Sequence, residues 1–419
     1  MENKFKYYKL NGNYIFSLHE YGELNRIDEE EIRDYGGYIY YLNKLPVAES
    51  RGSFSLSHPS LLHISEEGLE LLTLQGEMSD FSGPSWILDK IEDRKVKSIN
   101  SNYPNWMEEV NIRKKDGWKV NILALGDVGS TLAIGLRLMG GEDISEIGIY
   151  DRNINRLNRW EYELNQVREA FADTPPPPVK SIGEDDLFNC HMFVFCASKG
   201  IPPLDSKTSD VRMAQYEANS SIISQYAKMA RDRRFKGIFA VVSDPVDLLS
   251  KVALLESNKN DLGDYDYRGL LPEQVIGYGL GVMNSRACFY AEKSPDTLSY
   301  LEEGRVFGPH GDGLIVANSI VDYDQELSDY LTEKTINANK EIREFGYKPF
   351  IAPALSSGAL SILATIRGDW FYGSTYMGRV YMGARCRLLE SGLELEQLDL
   401  PEELAEKIKM TYDRLAMII

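Results

Sequence analysis

Few segments of this chain combine residue types and spacing that can do chemistry, and they lie far apart. Leu125-Gly126-Asp127-Val128-Gly129-Ser130 joins an apolar run to a helical pattern. It fits the dinucleotide fingerprint GxGxxG, with Ala124 standing where the first glycine would be. Gly126 lets the backbone approach a pyrophosphate, and Gly129 lets the next helix lie close to the strand. Asp127 and Val128 fall at that helix's N-terminus, whose free N–H groups and positive dipole end attract phosphates. Asp151 ends the following apolar run, 25 residues beyond Gly126. A carboxylate there can accept hydrogen bonds from the adenosine ribose and repels a 2′-phosphate, which favours NAD, although the neighbouring Arg152 leaves room for NADP. The alternative is a solvated turn aspartate, because Asp151-Arg152-Asn153 is good turn chemistry. The last segment is Gly308-Pro309-His310-Gly311-Asp312. A lone histidine is usually structural, but flanking glycines let this one stand on an exposed turn beside a ligand.

The elements around these segments follow a regular order from Trp118 onward. Val120–Leu125, Ile147–Tyr150, Phe193–Cys196 and Ile238–Val242 are short apolar runs of the kind that form buried parallel strands. Leu132, Leu136 and Met139 fall at helical spacing before the stop Gly140-Gly141, and a long helix is predicted from about Ser209 to Arg234. Strands alternating with helices imply a doubly wound α/β sheet. Residues 1–116 are rich in Tyr, Glu and Ser and lack that order. A strand at Tyr38–Tyr41, a helix opening at Glu66–Leu72 and a linker at Ser98–Pro104 are expected there, within a small accessory domain. The segment Pro401–Met417 reads as a packing helix.

Composition narrows the partners. Lys+Arg 46 against Asp+Glu 64 gives a net charge of -18, which repels nucleic acid and anionic membrane surfaces. The cysteines Cys190, Cys196, Cys288 and Cys386 form no CxxC pair, and five scattered histidines give no zinc pattern, so no metal site is expected. Sparse unpaired cysteines and a polar start, MENKFKYYKLNGNY, fit a cytoplasmic protein without a signal peptide.

From about residue 118 to 419 the chain resembles the lactate/malate dehydrogenase family. The resemblance rests on an ordered set of motifs: Gly126–Ala133, Asp151, the helix carrying Arg212 and Asn219, Val242-Ser243-Asp244-Pro245-Val246-Asp247, Val275–Gly279, Asn284-Ser285-Arg286 and His310-Gly311-Asp312. It implies a Rossmann-type NAD-binding domain over residues 117–274 and a mixed α+β catalytic domain over 275–419. It also implies an NAD-dependent dehydrogenase moving hydride to or from a 2-hydroxy or 2-oxo acid, and a homodimer or homotetramer. By the same resemblance His310 is the proton donor and acceptor, Arg286 grips the substrate carboxylate with Asn284 beside it, Arg212 polarises the substrate oxygen, and Asn219 lies on the cofactor side. Lys348, in Gly346-Tyr347-Lys348-Pro349, aligns with the far end of the substrate pocket, where it can meet a second carboxylate.

Three departures complicate that picture. Met283 stands where the family has the carboxylate that orients the histidine. Asp244 replaces an asparagine. The stretch from Cys196 to Arg212 is longer than expected, which leaves Lys199 and Lys207 as alternative specificity residues. One consequence is compensation, with Asp244 pairing with His310 and joining the catalytic set. The others are an amino or imino acid substrate facing Asp244, or an NAD-binding regulatory protein without catalysis.

Overall fold

The computed structural model describes residues 5–78, 81–112, 117–170, 173–199 and 211–418, with backbone alone at 211–214. The N-terminal part is a mixed sheet of β1 (Lys6–Leu10), β2 (Asn13–Ser17), β3 (Asn25–Arg26), β4 (Ile39–Asn43), β5 (Ser53–Ser55) and β6 (Val96–Asn100), with helices α1 (Glu29–Arg33) and α2 (Ser85–Glu92). Its strand order is β3-β1-β2-β4-β6-β5. The expected strand at Tyr38–Tyr41 is therefore β4, shifted by a residue or two. Two expectations fail here. Glu66–Leu72 holds only the short 3₁₀ turn Leu69–Leu71, and the supposed linker from Ser98 begins inside the buried strand β6. Polar residues misled the reading of β6: Ser98 and Asn100 spend their side chains on buried hydrogen bonds to Asn43, Leu45 and Ser50.

A second sheet carries the rest. Its parallel strands are β7 (Trp118–Leu123), β8 (Ile144–Tyr150), β9 (Val179–Ser181), β10 (Met192–Phe195), β11 (Ile238–Val241) and β12 (Val275–Gly277). They lie in the order β9-β8-β7-β10-β11-β12, the doubly wound arrangement expected from the sequence. Helices α3 (Asp127–Met139), α4 (Ile154–Gln166), α5 (Val211–Asp232) and α6 (Val246–Ser257) connect them. The strands are apolar throughout because both faces are covered. Val120, Ile122, Val194 and Ala240 point into one core, while Phe193, Phe195, Phe239 and Val241 point into the other.

Helix α7 (Leu280–Ala291) follows β12 and leads through α8 (Tyr300–Glu303) to the small hairpin β13 (Arg305–Phe307) and β14 (Ile315–Ala317). Then come α9 (Gln325–Glu344), a π-helical stretch Pro353–Leu360 continuing into α10 (Ser361–Arg367), and the strands β15 (Phe371–Met377), β16 (Val380–Leu389) and β17 (Gly392–Leu395). These three strands run antiparallel and extend the parallel sheet beyond β12. The closing helix α11 (Glu402–Ala416) buries Leu404, Ile408 and Leu415, the packing role expected of it.

The N-terminal sheet is joined tightly to the second. Ser55 meets Ser391 at 2.8 Å, Arg94 pairs with Glu394 at 3.0 Å, and the Tyr376 hydroxyl donates to the Ala48 carbonyl at 2.8 Å. The Glu273 carboxylate accepts from the Gly52 N–H at 2.9 Å and the Ser53 hydroxyl at 2.7 Å. Burial pushes the Glu273 carboxyl up to about 7, and the nearby Glu109 adds to the rise. The folded chain thus holds a proton on Glu273 that the unfolded chain releases near 4.5. The stability this group contributes is complete below about 4.5 and is lost as pH rises to about 7. Urea titrations across this window should show that decline, and it should be smaller in Glu273→Gln.

Candidate active site

The glycine turn sits between β7 and α3. Ala124, in the first glycine position, keeps the left-handed backbone of a glycine (φ 73°), a strain of about 1 kcal/mol for a residue with a Cβ. A Cβ at Gly129 would come within 2.0 Å of the Ala124 carbonyl oxygen, so helix and strand can approach only over a glycine. A Cβ at Gly126 would meet nothing within 4 Å, and the backbone there faces open space at the N-terminus of α3. The turn therefore has the room and the free N–H groups that a diphosphate needs.

Asp151 lies beside this turn and is buried. Its carboxylate accepts from the Leu125 N–H at 2.9 Å, the Asn153 N–H at 2.8 Å and Arg156 at 3.2 Å. It braces the turn, and an ionised carboxylate retains acceptor capacity beyond three donors.

The ends of β10 and β11 converge on Asn219. This buried amide donates to the Asp244 carbonyl at 2.9 Å and accepts from the Lys199 N–H at 3.0 Å. The Ser243 hydroxyl adds a bond to the Ala197 carbonyl at 2.9 Å. Asn219 thus fastens the Asp244 backbone in place.

His310 occupies a glycine-rich loop in which Gly308, Gly311 and Gly313 all have positive φ. Gly308 exchanges backbone hydrogen bonds with Gly383 at 3.0 and 3.1 Å, Thr411 bonds the Gly313 carbonyl at 3.2 Å, and Asp312 pairs with Arg414. The imidazole packs over Gly279, where a Cβ would fall 3.0 Å from its own. Its Nδ1 lies 2.8 Å from Asp244 Oδ1. A carboxylate only accepts, so Nδ1 carries hydrogen and Nε2 is the nitrogen left for chemistry. The His310 side chain is 13% exposed and that of Asp244 51%. Two residues without an assigned role in the sequence reading complete the support. Asp247 accepts from the His310 N–H at 3.3 Å and from the Ser374 hydroxyl at 2.7 Å. Asp247 is one turn beyond Asp244 on α6, and that spacing was the available signal.

Arg286 is buried on α7, with its guanidinium against Asn339 and the Met283 sulfur. Burial pushes the guanidinium down, and the charges of Asp244 and Tyr290 offset part of that. Asp244 is thus the common neighbour of His310 and Arg286.

Other candidates fall elsewhere. Asn284 is two residues from Arg286 and so about 200° around α7. It accepts from the Tyr300 hydroxyl at 2.9 Å and lines a cavity of about 380 Å³. Lys348 is exposed and pairs with Asp127 at 3.0 Å, beside the glycine turn. The reason is the π-helical stretch, which packs on α3 through Ala359 against Gly135 and brings the preceding loop over the helix start. The Lys199 ammonium lies 3.4 Å from the Ser221 hydroxyl. The side chain of Arg212, and Lys207, lie outside the described residues. Among the described residues no cluster of three or more His, Cys, Asp or Glu is placed to hold a metal ion, and no helix is long and apolar enough to cross a membrane.

A doubly wound dinucleotide fold with a histidine–carboxylate pair at its strand ends defines the class. Comparison with known proteins narrows it. No family model matches the chain. An L-lactate dehydrogenase of Staphylococcus epidermidis is 24% identical over 335 residues, covering 73% of this chain and 100% of that protein. L-lactate dehydrogenase 2 of Staphylococcus aureus is 26% identical over 200 residues, 48% of this chain and 56% of its own length. Among solved structures, a lactate dehydrogenase from a Medee basin deep-sea metagenome library aligns with a TM-score of 0.59 at 20% identity, over 72% of this chain and 98% of that one. Malate dehydrogenase from Archaeoglobus fulgidus, in complex with NADH, aligns with a TM-score of 0.56 at 20% identity, over 71% and 97%. The chain is thus similar to lactate and malate dehydrogenases over about 70% of its length and shares their Rossmann-type fold.

Two stability measurements test the positioning elements. Gly129→Ala should lose about 2 kcal/mol or more in urea unfolding, while Ala124→Gly should be neutral or gain up to about 1 kcal/mol. Asn219→Leu, which removes the buried amide that holds the Asp244 carbonyl and the Lys199 N–H, should cost about 1–3 kcal/mol.

Proposed function

We propose that the chain is an NAD-dependent oxidoreductase that moves hydride between NAD(H) and a 2-hydroxy or 2-oxo acid. The observation that carries this reading is the 2.8 Å contact of His310 Nδ1 with Asp244 Oδ1, in a chain whose family position for that carboxylate holds Met283. The carboxylate lost from α7 is replaced by one at the end of β11.

Gly126, Asp127, Val128 and Gly129 would hold the diphosphate of a dinucleotide, and Asp151 would face its ribose. When bound it supplies or takes the hydride. The chain's own residues do the rest. His310 takes the hydroxyl proton on Nε2 as the alcohol is oxidised and returns it in the reverse direction. Asp244 fixes the ring's tautomer and orientation. Arg286, buried and desolvated, grips the substrate carboxylate. It also offsets the repulsion that Asp244 exerts on an anionic substrate. By the family resemblance, Arg212 is assigned to polarise the substrate oxygen. Residues 1–116 form an accessory domain, 117–274 the cofactor domain and 275–419 the catalytic domain of a cytoplasmic homodimer or homotetramer.

The half-exposed Asp244 carboxylate favours a second reading, in which a substrate amine faces it and the reaction is amino or imino acid oxidoreduction. Its bond to His310 favours the first, because that contact occupies the carboxylate. A regulatory protein that binds NAD without turnover has less support, since the acid–base pair is assembled. NADH oxidation with pyruvate, oxaloacetate and larger 2-oxo acids, against the corresponding imino acids, separates the three. Asp244→Ala should lower kcat by roughly 10²-fold and His310→Gln by roughly 10²–10⁴-fold, with Met283→Ala changing it far less. Equal losses in Asp244→Ala and Met283→Ala would overturn the assignment of Asp244.

A further inference from the structure

Asp127 puts a carboxylate where the diphosphate of a dinucleotide has to bind. It is the exposed first residue of α3, whose N-terminus no side chain caps. A Cβ at Gly126, the residue before it, would meet nothing within 4 Å. A carboxylate at a helix start suits the positive end of the helix dipole. It also takes the electrostatic position that a diphosphate needs, and like charges there repel. The net charge of -18 adds to that repulsion.

Lys348 answers this charge from 221 residues further along the chain, with its ammonium 3.0 Å from Asp127 Oδ2. Close packing along α3 sets the meeting. A Cβ at Gly135 would fall 2.5 Å from that of Ala359 and 3.1 Å from the Leu355 side chain, and one at Gly358 would fall 2.7 Å from the Leu132 side chain. The π-helical stretch therefore lies against α3 and fixes where the loop before it passes. The Lys348 carbonyl accepts from the Phe350 N–H at 3.1 Å, and the Phe350 carbonyl accepts from the Ala354 N–H at 3.0 Å. The backbone at Lys348 is thus tied into the start of that stretch.

We propose that Lys348 bridges the Asp127 carboxylate and the diphosphate of the bound dinucleotide, so that the pair holds the cofactor instead of repelling it. This rests on the dinucleotide reading above and assigns Lys348 to the cofactor. The bond to Asp127 is part of the site. It neutralises the carboxylate and keeps the ammonium beside the first N–H groups of α3. An ammonium has three N–H donors, so it can keep its bond to the carboxylate and donate to a phosphate oxygen as well.

Binding is read without turnover, by fluorescence titration of the full chain with NADH and by competition with ADP-ribose, which keeps the diphosphate and lacks the nicotinamide. Lys348→Met should weaken both roughly tenfold or more, and Lys348→Arg should keep binding within about threefold of the parent chain. The loss should be smaller in an Asp127→Asn background, where there is less repulsion to offset. Thermal unfolding of Lys348→Met should match the parent, because an ion pair this exposed adds little to stability. NADH affinity unchanged in Lys348→Met would overturn the proposal. So would an equal loss with and without the Asp127 charge, or a loss for NADH with none for ADP-ribose, which would put Lys348 at the nicotinamide or substrate end. A parent chain that binds neither probe would overturn the dinucleotide reading itself, and this proposal with it.

Discussion

Asp244 is the constraint on which the site depends. Its backbone carbonyl is held by Asn219, its carboxylate meets His310 Nδ1, and its charge reaches the buried Arg286. The position of that carboxylate decides which ring nitrogen remains available. Here it comes from the end of β11, on a segment already fixed by the sheet, so the pair is set by strand-end geometry rather than by a helix facing it.

Strain and close packing secure the cofactor side. Ala124 remains in a conformation suited to glycine because the strand before it and the helix after it leave no alternative path, and Gly129 is what permits that path. The cost is local, and the cores on both faces of the sheet are large enough to offset it. The His310 loop uses the opposite strategy. Three glycines relieve strain there, and the loop gains its rigidity from β16 and α11.

How much of this was legible in the sequence depended on periodicity. The strands of the doubly wound sheet were readable because burial on both faces makes them apolar throughout, and α3 because Leu132 and Leu136 repeat at helical spacing before Gly140. The N-terminal sheet was readable only at β4. Its strand β6 carries Lys97, Ser98 and Asn100, whose buried bonding partners are distant in sequence. The pairing of Asp244 with His310 could be posed as a question by noticing two departures from a pattern, but the 66 residues between them hide the contact itself. Asn284 and Arg286 are close in sequence, but the helix turns them to different sides of α7. The loop carrying Lys348 takes its course from the π-helical stretch after it, which has no signature in residue types.

The joint between the two sheets also bears on synthesis. Phe54 and Leu56 of the N-terminal part share one apolar core with Met382, Leu393 and Leu395, and Gly392 lies so close to β5 that a Cβ would sit 2.9 Å from the Ser55 nitrogen. A ribosome makes Phe54 more than 300 residues before the strands that cover it. Through that interval the first-made sheet has an oily flank with no lid, open to premature association. The oily flank is covered only when β16 and β17 have been made.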